Sequence, residues 1–584
     1  MSNTQTKLKI LVGPVWTVGL ASCLFKAYSI CNENENLDLK IFSYHDGADV
    51  RITSSSSFQD ILLQLGNWEP DLIFYQEVTS GPLLKGIEDI QIPIVGIITD
   101  GWIYVDKIKQ IIPFFDVFVT CESYIADFLR SHGCKYIIEH PFHGYLPELH
   151  HKMEGVPKEF DISYIGVKFT ENNSPIYAKR FRYLKKITDY FEGGKNICIK
   201  SDTFGEEYVY LLNASKIIFN YSPTDITHII TSRIYETMAC GSLIFIEDTN
   251  TDAKKLFKDR EHCVYYNDEN LLELLEYYLS HDEEREKIAY QGHLIAPKFS
   301  LDNQIMEIIE EIKSINFSDL TNYNLQRKTT LPENIKLIRS FSILYSTLSD
   351  LSSAKDQLYS NLSSNIDLSE TENSLGFVYT SMALSQGMKP DYIKKAITYY
   401  KKAVLRNPDS VIYLFNLAHS TLLLLPYKSE ILFYNCLKKL ENLVNDESIF
   451  SGMLHTGYHS DIPVYLWIYD SSRFAFRWAI YRLWQFVMDK PSYLDLLRKT
   501  LIAQCWNKIG EILTLKEENV KAIDAFYTSL NHIPDDAVIM AKLAECLSYT
   551  RNFKEAENKY LQALKLEPYN EKIKEAYLKM LKRN

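Results

Sequence analysis

The sequence predicts two doubly wound α/β domains followed by an all-α repeat region. Short apolar runs alternate with helix-length segments from residue 7 to about residue 145, and the same pattern restarts near residue 160. A constant 34-residue period then runs through the last 80 or so residues. A chain of 584 residues is too long for one hydrophobic core, so a modular architecture is expected.

The first α/β domain is expected over residues 1–150. Its apolar runs, among them KLKILVG, DLIFYQE and PIVGIIT, are four to eight residues long and rich in Ile, Val and Phe. Helical patterns such as residues 17–31 and 123–131 separate them. Continuous apolar runs at this spacing are typical of buried parallel strands joined by crossover helices.

The second α/β domain is expected over residues 151–300, with strands in FDISYIGV, NICIKS, KIIFNYS, GSLIFIED and CVYYND. Helices are expected over residues 177–190, 205–214, 232–239 and 270–281. Two such domains leave a cleft between them, and ligands of parallel sheets bind beyond the carboxyl ends of the strands. We therefore expect the functional site on strand-end loops that face this cleft. Residues 301–369 are predicted to be a helical connector that packs back onto the two domains.

Residues 370–584 are predicted to form a helical repeat domain. Small, large and proline residues recur 34 positions apart, which predicts stacked helix pairs. The aligned residues are Trp506, Gly510, Ala522, Phe526 and Pro534 with Met540, Ala544, Ala556, Tyr560 and Pro568. This pattern resembles tetratricopeptide repeats. An earlier copy carries Gly376 and Tyr400 with an eight-residue insertion, whereas residues 409–501 are helical without a clear repeat.

Net charge, cysteine spacing and the length of the apolar runs argue against several functions for this chain, namely binding of nucleic acid, structural metal sites and membrane insertion. The net charge is −12, which gives no electrostatic support for binding nucleic acid or an anionic membrane. The ten cysteines lack metal-ligand spacing and a disulfide pattern, which favours a reducing, cytoplasmic setting. No apolar run approaches the length of a membrane span, so no transmembrane segment is expected.

The common nucleotide and hydrolase motifs are absent: the sequence has no P-loop, H-E-x-x-H, G-x-S-x-G or G-x-G-x-x-G. The informative segment is SRIYETMACGSL. Thr231 or Ser232 would cap a helix whose first turn holds Arg233, with Glu236 three residues later on the same face. A guanidinium and helix N-terminal amides at one point form a binding site for a diphosphate.

The segment from ASKIIFNYS through GSLIFIED resembles the nucleotide-sugar half of GT-B glycosyltransferases, particularly the CgeB-like (spore maturation protein) group, over roughly residues 7–300. The resemblance implies twin Rossmann-like domains and a nucleoside diphosphate-sugar donor. It implies that Glu236 holds the ribose hydroxyls of that donor, and Gly241 would let the backbone approach the ligand. The alternative is that Glu236 only complements the helix dipole and that Arg233 is a solvated surface group.

Two further residues are candidates for contacts with the donor. Retaining GT-B families carry a second Glu eight residues before the first, and His228 stands at that position here. This departure puts a retaining mechanism in doubt, and His228 is instead a candidate donor to a phosphate. Lys200 ends the strand NICIK and could reach the diphosphate, although an exposed lysine at a strand end is the commoner case.

The candidate general base is Asp100, which directly follows the strand PIVGIIT in a T-D-G-W turn. CgeB-like proteins look similar here, with an acidic residue after the corresponding strand. An inverting transfer needs a base for the acceptor hydroxyl, whereas a turn-forming Asp before Gly is the structural alternative. Glu77, at another strand end, is the reserve base, and His45 and His143 are weaker candidates.

Together these features predict a metal-independent glycosyltransferase with a nucleoside diphosphate-sugar as donor substrate and no further cofactor. The acceptor is expected to be a protein or a glycan, with the repeats recruiting a protein partner. A non-catalytic scaffold built on the same domains is the main alternative, and a sugar-nucleotide epimerase of the same architecture is a third.

Overall fold

The structure is a computed structural model. It describes residues 7–15, 22–53, 56–76, 78–79, 81, 83–99, 101, 108, 111–166, 175–200, 203–221, 230–329, 339, 351–442, 490–534, 536–566 and 570–583. The chain divides into two compact units: residues 1–169 and 176–333 form one, which contains both β-sheets, and residues 170–175 and 334–584 form the other, which is helical over most of its described part.

The first sheet of the α/β unit is parallel, and the described strands follow the order β3-β2-β1-β4-β5-β6-β7. They are β1 Leu8–Gly13, β2 Leu37–Ser43, β3 Val50–Arg51, β4 Leu72–Tyr75, β5 Ile94–Ile98, β6 Val117–Thr120 and β7 Tyr136–Glu139. The described helices of this first half are α1 Ser22–Cys31, α2 Phe58–Leu65 and α3 Ser123–Ser131. The direction of winding reverses between β1 and β4, which makes this pair the topological switch point of the sheet.

The second sheet is also parallel, with the order β12-β11-β10-β8-β9. Its strands are β8 Phe160–Ile165, β9 Ile197–Lys200, β10 Ser215–Phe219, β11 Leu243–Glu247 and β12 Val264–Tyr266. The helices of this second half are α4 Pro175–Tyr190, α5 Gly205–Asn213, α6 Ser232–Ala239, α7 Thr251–Leu256, α8 Leu271–Ser280 and α9 Asp282–Ile295. Its switch point lies between β8 and β10. The two sheets establish the twin doubly wound, Rossmann-like architecture that the strand pattern predicts.

Both sheets are buried on their two faces, as expected for parallel strands covered by helices. In β10, Ile217, Ile218 and Phe219 are all inaccessible to solvent. Ile217 and Phe219 pack in one cluster with Tyr183 of α4, while Ile218 packs in the cluster on the opposite face. A continuous apolar run therefore places side chains in both layers, which leaves the strand ends as the accessible part of the sheet.

Two helices after the second sheet return to the first half. They are α10 Leu301–Ser314 and α11 Phe317–Thr329. Ile305 and Ile308 of α10 belong to the same buried cluster as Ile10 of β1, and the Asn324 amide of α11 donates to Asp116 at 2.8 Å. These contacts tie the second half of the α/β unit to the core of the first.

The second unit is all-α in its described residues. Its helices are α12 Leu351–Ser363, α13 Leu368–Ser385, α14 Pro390–Arg406, α15 Val411–Leu422, α16 Pro426–Asn442, α17 Lys490–Leu515, α18 Asn519–His532, α19 Ala537–Tyr549, α20 Phe553–Leu566 and α21 Glu571–Arg583. A Cβ at Gly376 would lie 2.7 Å from the Tyr400 ring, and one at Gly510 would lie 2.7 Å from the Phe526 ring. Both glycines of the sequence pattern therefore lie against the large residue of the following helix.

The unit boundary differs from the predicted start of the helical domain at residue 370. Leu358 of α12 packs in one cluster with Leu375 of α13, so residues before 370 belong to the helical core. The segment without a clear repeat also contains a helix pair, because Phe415 of α15 packs edge-on against Phe433 of α16 with ring centroids 5.8 Å apart. Among the described residues, no helix is long and apolar enough to cross a membrane.

Candidate functional site

The carboxyl edges of the two sheets face each other. Ser123, which starts α3 after β6, donates to the Asp252 carboxylate of the second half at 3.2 Å. His143 Nδ1 lies 3.2 Å from the carbonyl oxygen of Ile230, two residues before α6. The pKa of the Cys23 thiol on α1 is raised by burial and, next, by the nearby negative charge of Glu236 on α6. Residues near the strand ends of the two halves therefore lie close to one another along these edges.

Arg233 spans the switch point of the second sheet. Its Nε donates to the carbonyl oxygen of Ile165, the last residue of β8, at 2.8 Å. Its Nη1 donates to Oδ1 of Asn220, the residue after β10, at 2.8 Å. The guanidinium therefore lies beyond the carboxyl ends of the two strands where ligands of such sheets bind.

The residues around the guanidinium are shaped to fit it. Gly166 follows β8 directly, and a Cβ at this position would lie 2.2 Å from Nη2 of Arg233. The Tyr164 ring lies under the guanidinium, with 4.8 Å between the ring centroid and Cζ of Arg233. Arg180 of α4 approaches the same ring, at 5.6 Å. Only glycine at position 166 leaves room for this cation in its present position.

No carboxylate within the described part of the chain forms an ion pair with Arg233. Burial lowers the pKa of Arg233, but nearby Tyr164, Tyr208, Glu236 and Glu247 outweigh this effect and raise the pKa above its usual range. The guanidinium is therefore charged at neutral pH. A half-buried cation whose direct partners are a carbonyl and an amide oxygen retains charge for an incoming anion.

Glu236 lies one turn further along α6. Its carboxylate accepts a 2.6 Å hydrogen bond from the Tyr208 hydroxyl of α5, and Nε2 of His150 lies 3.6 Å from its other oxygen. Burial is the main cause that lowers the pKa of His150 and raises that of Tyr208. Both neighbours are therefore neutral at pH 7, and their contacts fix the position of the Glu236 carboxylate.

The N-terminus of α6 is fixed by Asn220 and not by a side-chain cap. Thr231 occupies the cap position with extended backbone, but its side chain makes no capping hydrogen bond. Its hydroxyl donates instead to Oδ1 of Asn220, at 2.9 Å. The same oxygen thus binds Thr231 and Arg233, which holds the helix start against the end of β10. Ser232 is the first residue of α6 and is half-buried.

Two predicted site residues, Lys200 and Gly241, do not contact the Arg233 guanidinium. Lys200 ends β9, but its ammonium group forms an exposed ion pair with Glu207 of α5 at 2.9 Å. Gly241 follows the C-terminus of α6, at the other end of the helix from Arg233, beside the amino end of β11. Its backbone φ of 72° is in the left-handed region, which favours glycine, so the turn after α6 accounts for a glycine at this position. Asp100, Glu77 and His228 lie outside the described residues.

Several residues of the site were missed from the sequence. They are Tyr164, Gly166, Asn220, Tyr208 and His150. Tyr164 is the penultimate residue of β8, and Gly166 and Asn220 directly follow β8 and β10, so position near a strand end was the signal that could have identified these three. Tyr208 and His150 carry no such signal, because an interior helix position and a linker position become neighbours of Glu236 only in the folded chain. Among the described residues, no three His, Cys, Asp or Glu side chains are grouped as metal ligands would be.

The segment that carries Arg233 and Glu236 also matches a known protein family in sequence. Residues 158–310 match a family model described as glycosyl transferase-like. The matched segment contains the whole second sheet together with Arg233 and Glu236. No curated protein sequence matches the chain.

Solved structures of low identity resemble about half of the chain. HepE from Anabaena in complex with UDP-glucose is 12% identical, with a TM-score of 0.37, over 53% of this chain and 100% of its own. A glycosyltransferase from Rickettsia africae is 13% identical, with a TM-score of 0.37, over 53% and 98%. Sucrose-phosphate synthase from Thermosynechococcus elongatus is 10% identical, with a TM-score of 0.36, over 53% and 100%.

Proposed function

We propose that the protein is a GT-B glycosyltransferase that moves a sugar from a nucleoside diphosphate-sugar to an acceptor hydroxyl. The observation that carries this proposal is the position of Arg233, a charged guanidinium bound to Ile165 and Asn220 across the switch point of the glycosyl transferase-like domain. A ligand with two phosphates matches a planar cation and the amides of a helix N-terminus.

Glu236 supplies the second half of donor recognition in this proposal. An ionised carboxylate accepts two hydrogen bonds side by side, which is what the vicinal hydroxyls of a ribose present. The hydrogen bond from Tyr208 occupies one oxygen and fixes the carboxylate. Diphosphate and ribose are neighbours in a nucleotide, as Arg233 and Glu236 are neighbours on one helix.

Catalysis would consist of stabilising the leaving diphosphate and removing a proton from the acceptor. Positive charge already in place at Arg233 stabilises the developing charge without reorganisation. Asp100 is our proposed general base, with Glu77 in reserve. His228, where retaining relatives carry a Glu, leads us to propose inversion of the anomeric centre and no metal ion.

The helical unit is proposed to recruit the acceptor, as repeat surfaces commonly bind proteins. This assigns the enzyme a protein, or a glycan carried by one, as acceptor. We place the reaction in the cytoplasm, which is compatible with the ten cysteines being free thiols.

A screen of nucleotide-sugars by thermal unfolding tests the donor. A ligand at 100 times its dissociation constant adds about 2.7 kcal/mol of stability, which is easily measured. We expect one nucleotide class to stabilise the native protein and to fail with Arg233→Leu. A protein that no nucleotide-sugar stabilises would instead be a scaffold.

A further inference from the structure

A buried glutamine occupies the switch point of the first sheet. Gln76 directly follows β4, and its backbone N–H donates to the carbonyl oxygen of Gly13, the last residue of β1, at 3.1 Å. Its position in the first half matches that of Asn220 and Arg233 in the second, because β1 and β4 are the strands between which the winding reverses. General rules for parallel sheets place a ligand beside it.

The side chain of Gln76 is unsatisfied. The residue is 6% exposed, and neither its amide nitrogen nor its amide oxygen has a hydrogen-bond partner in the described structure. Buried amides are almost always paired, since an unpaired one destabilises the fold. A ligand bound at this edge of the sheet can supply the hydrogen-bond partners that the Gln76 amide lacks.

The edge that carries Gln76 faces the Arg233–Glu236 site. Phe74 of β4 packs in one cluster with Val12 of β1 and with Ala27 of α1. The carboxyl edge of this sheet contacts that of the second sheet through Ser123, which donates to Asp252 at 3.2 Å, and through His143, whose Nδ1 lies 3.2 Å from the carbonyl oxygen of Ile230. Gln76 thus ends a strand on the edge of the first sheet that lies against the donor side.

We propose that Gln76 binds a hydroxyl group of the acceptor, beside the hydroxyl that receives the sugar. This inference rests on the proposed function and adds the chemistry of its acceptor side. A primary amide donates and accepts at once, as a hydroxyl does, so each atom of Gln76 gains a partner. A site built on such a pairing rejects analogues that lack the hydroxyl. Gln76 is a specificity-determining residue in this account and takes no part in bond breaking.

Urea unfolding of the full chain tests the first half of the inference. Gln76→Leu removes two unpaired polar atoms, so its unfolding midpoint is expected to equal or exceed that of the native protein at unchanged slope. Gln304→Leu is the matched control, because the buried Gln304 amide donates to the carbonyl oxygens of His143 and Phe299 at 2.9 and 2.8 Å. That variant should lower the midpoint. Gln76→Met provides a second, unbranched replacement. A midpoint lowered in both Gln76 variants, as in Gln304→Leu, would overturn the inference.

Thermal unfolding with acceptor probes tests the second half. Methyl glucoside serves in one arm and N-acetylserine amide in the other, each added at high concentration with UDP, GDP or ADP present. In at least one arm the native protein should gain about 1 °C or more over Gln76→Leu, and the arm identifies a sugar or a serine hydroxyl. Equal responses of the two proteins in both arms, including no response, would overturn the inference.

The two proposals fail differently. If none of the three nucleotides raises the melting temperature of the native protein, the proposed function fails and this inference fails with it. If a nucleotide stabilises the native protein while the probes do not distinguish it from Gln76→Leu, only the role of Gln76 is wrong.

Discussion

The Tyr208 hydroxyl donates a 2.6 Å hydrogen bond to the carboxylate of Glu236, joining α5 to α6 beneath the cleft. This bond fixes the Glu236 carboxylate one helical turn from Arg233, so that the residues proposed to bind the diphosphate and the ribose share one helix. Arg233 and Glu236 are neighbours, as the diphosphate and the ribose are in a nucleotide. Single substitutions can test the contribution of each residue.

Tyr208→Phe removes the hydrogen bond but keeps the ring that packs edge-on against His150. The freed carboxylate loses its fixed position, and we expect nucleotide affinity to fall by up to roughly 10- to 150-fold, which corresponds to the 1.5–3 kcal/mol usual for a hydrogen bond to a charged group. Calorimetry with the stabilising nucleotide measures this. Tyr210→Phe on the same helix is the control, since Tyr210 donates to the exposed Glu159. Equal affinities in both variants would separate Tyr208 from the site.

Gly166→Ala tests whether the position of the Arg233 guanidinium matters. The added Cβ would lie 2.2 Å from Nη2, so the guanidinium must move away from the switch point. We expect at least about a tenfold loss of nucleotide affinity, equivalent to about 1.4 kcal/mol. Gly194→Ala is the matched control, because its nearest neighbour would be 3.8 Å away. Unchanged binding by Gly166→Ala would show that Arg233 does not contact the nucleotide from its present position.

Asp100→Asn tests the proposed base. If Asp100 accepts the proton of the acceptor hydroxyl, the variant binds the donor but loses roughly 10²- to 10⁴-fold in turnover. A modest rate change at intact donor affinity would mark Asp100 as a turn residue. Product anomers assigned by NMR test the stereochemistry independently, and retention would contradict our proposal of inversion.

Removal of the helical unit tests acceptor recruitment. We place the cut after residue 333, where the compact units divide, because a cut after residue 369 would split α13 and leave α12 without its partner helix. The shortened protein should bind donor as the full chain does and glycosylate its acceptor more slowly. Transfer at the full rate would exclude the helices as the recruiting surface.

Much of the fold could be predicted because buried parallel strands are continuous apolar runs. The helix over residues 232–239 was predicted with the bounds Ser232–Ala239 that the structure shows. The sequence did not reveal that residues 409–501 contain the helix pair Val411–Leu422 and Pro426–Asn442. Neither helix carries the small and large residues of the repeats at the 34-residue spacing.

The site was predictable only where local position determines contact. Arg233 and Glu236 share one helix, so their proximity follows from helical spacing. Lys200 looked similar, since it ends a strand of the same sheet, but the nearby Glu207 pairs with it instead. The roles of Asn220 and His150 depend on contacts between segments distant in the chain, which no local pattern specifies.

Calorimetry of nucleoside diphosphate binding to Glu236→Ala tests the central claim most directly. UDP, GDP and ADP are titrated into the native protein and into the variant, with circular dichroism to show that the variant is folded. The account predicts that the preferred nucleotide binds the variant more weakly by about 1.5–3 kcal/mol, the range for hydrogen bonds to a charged group. Unchanged affinity in a folded Glu236→Ala protein would contradict it.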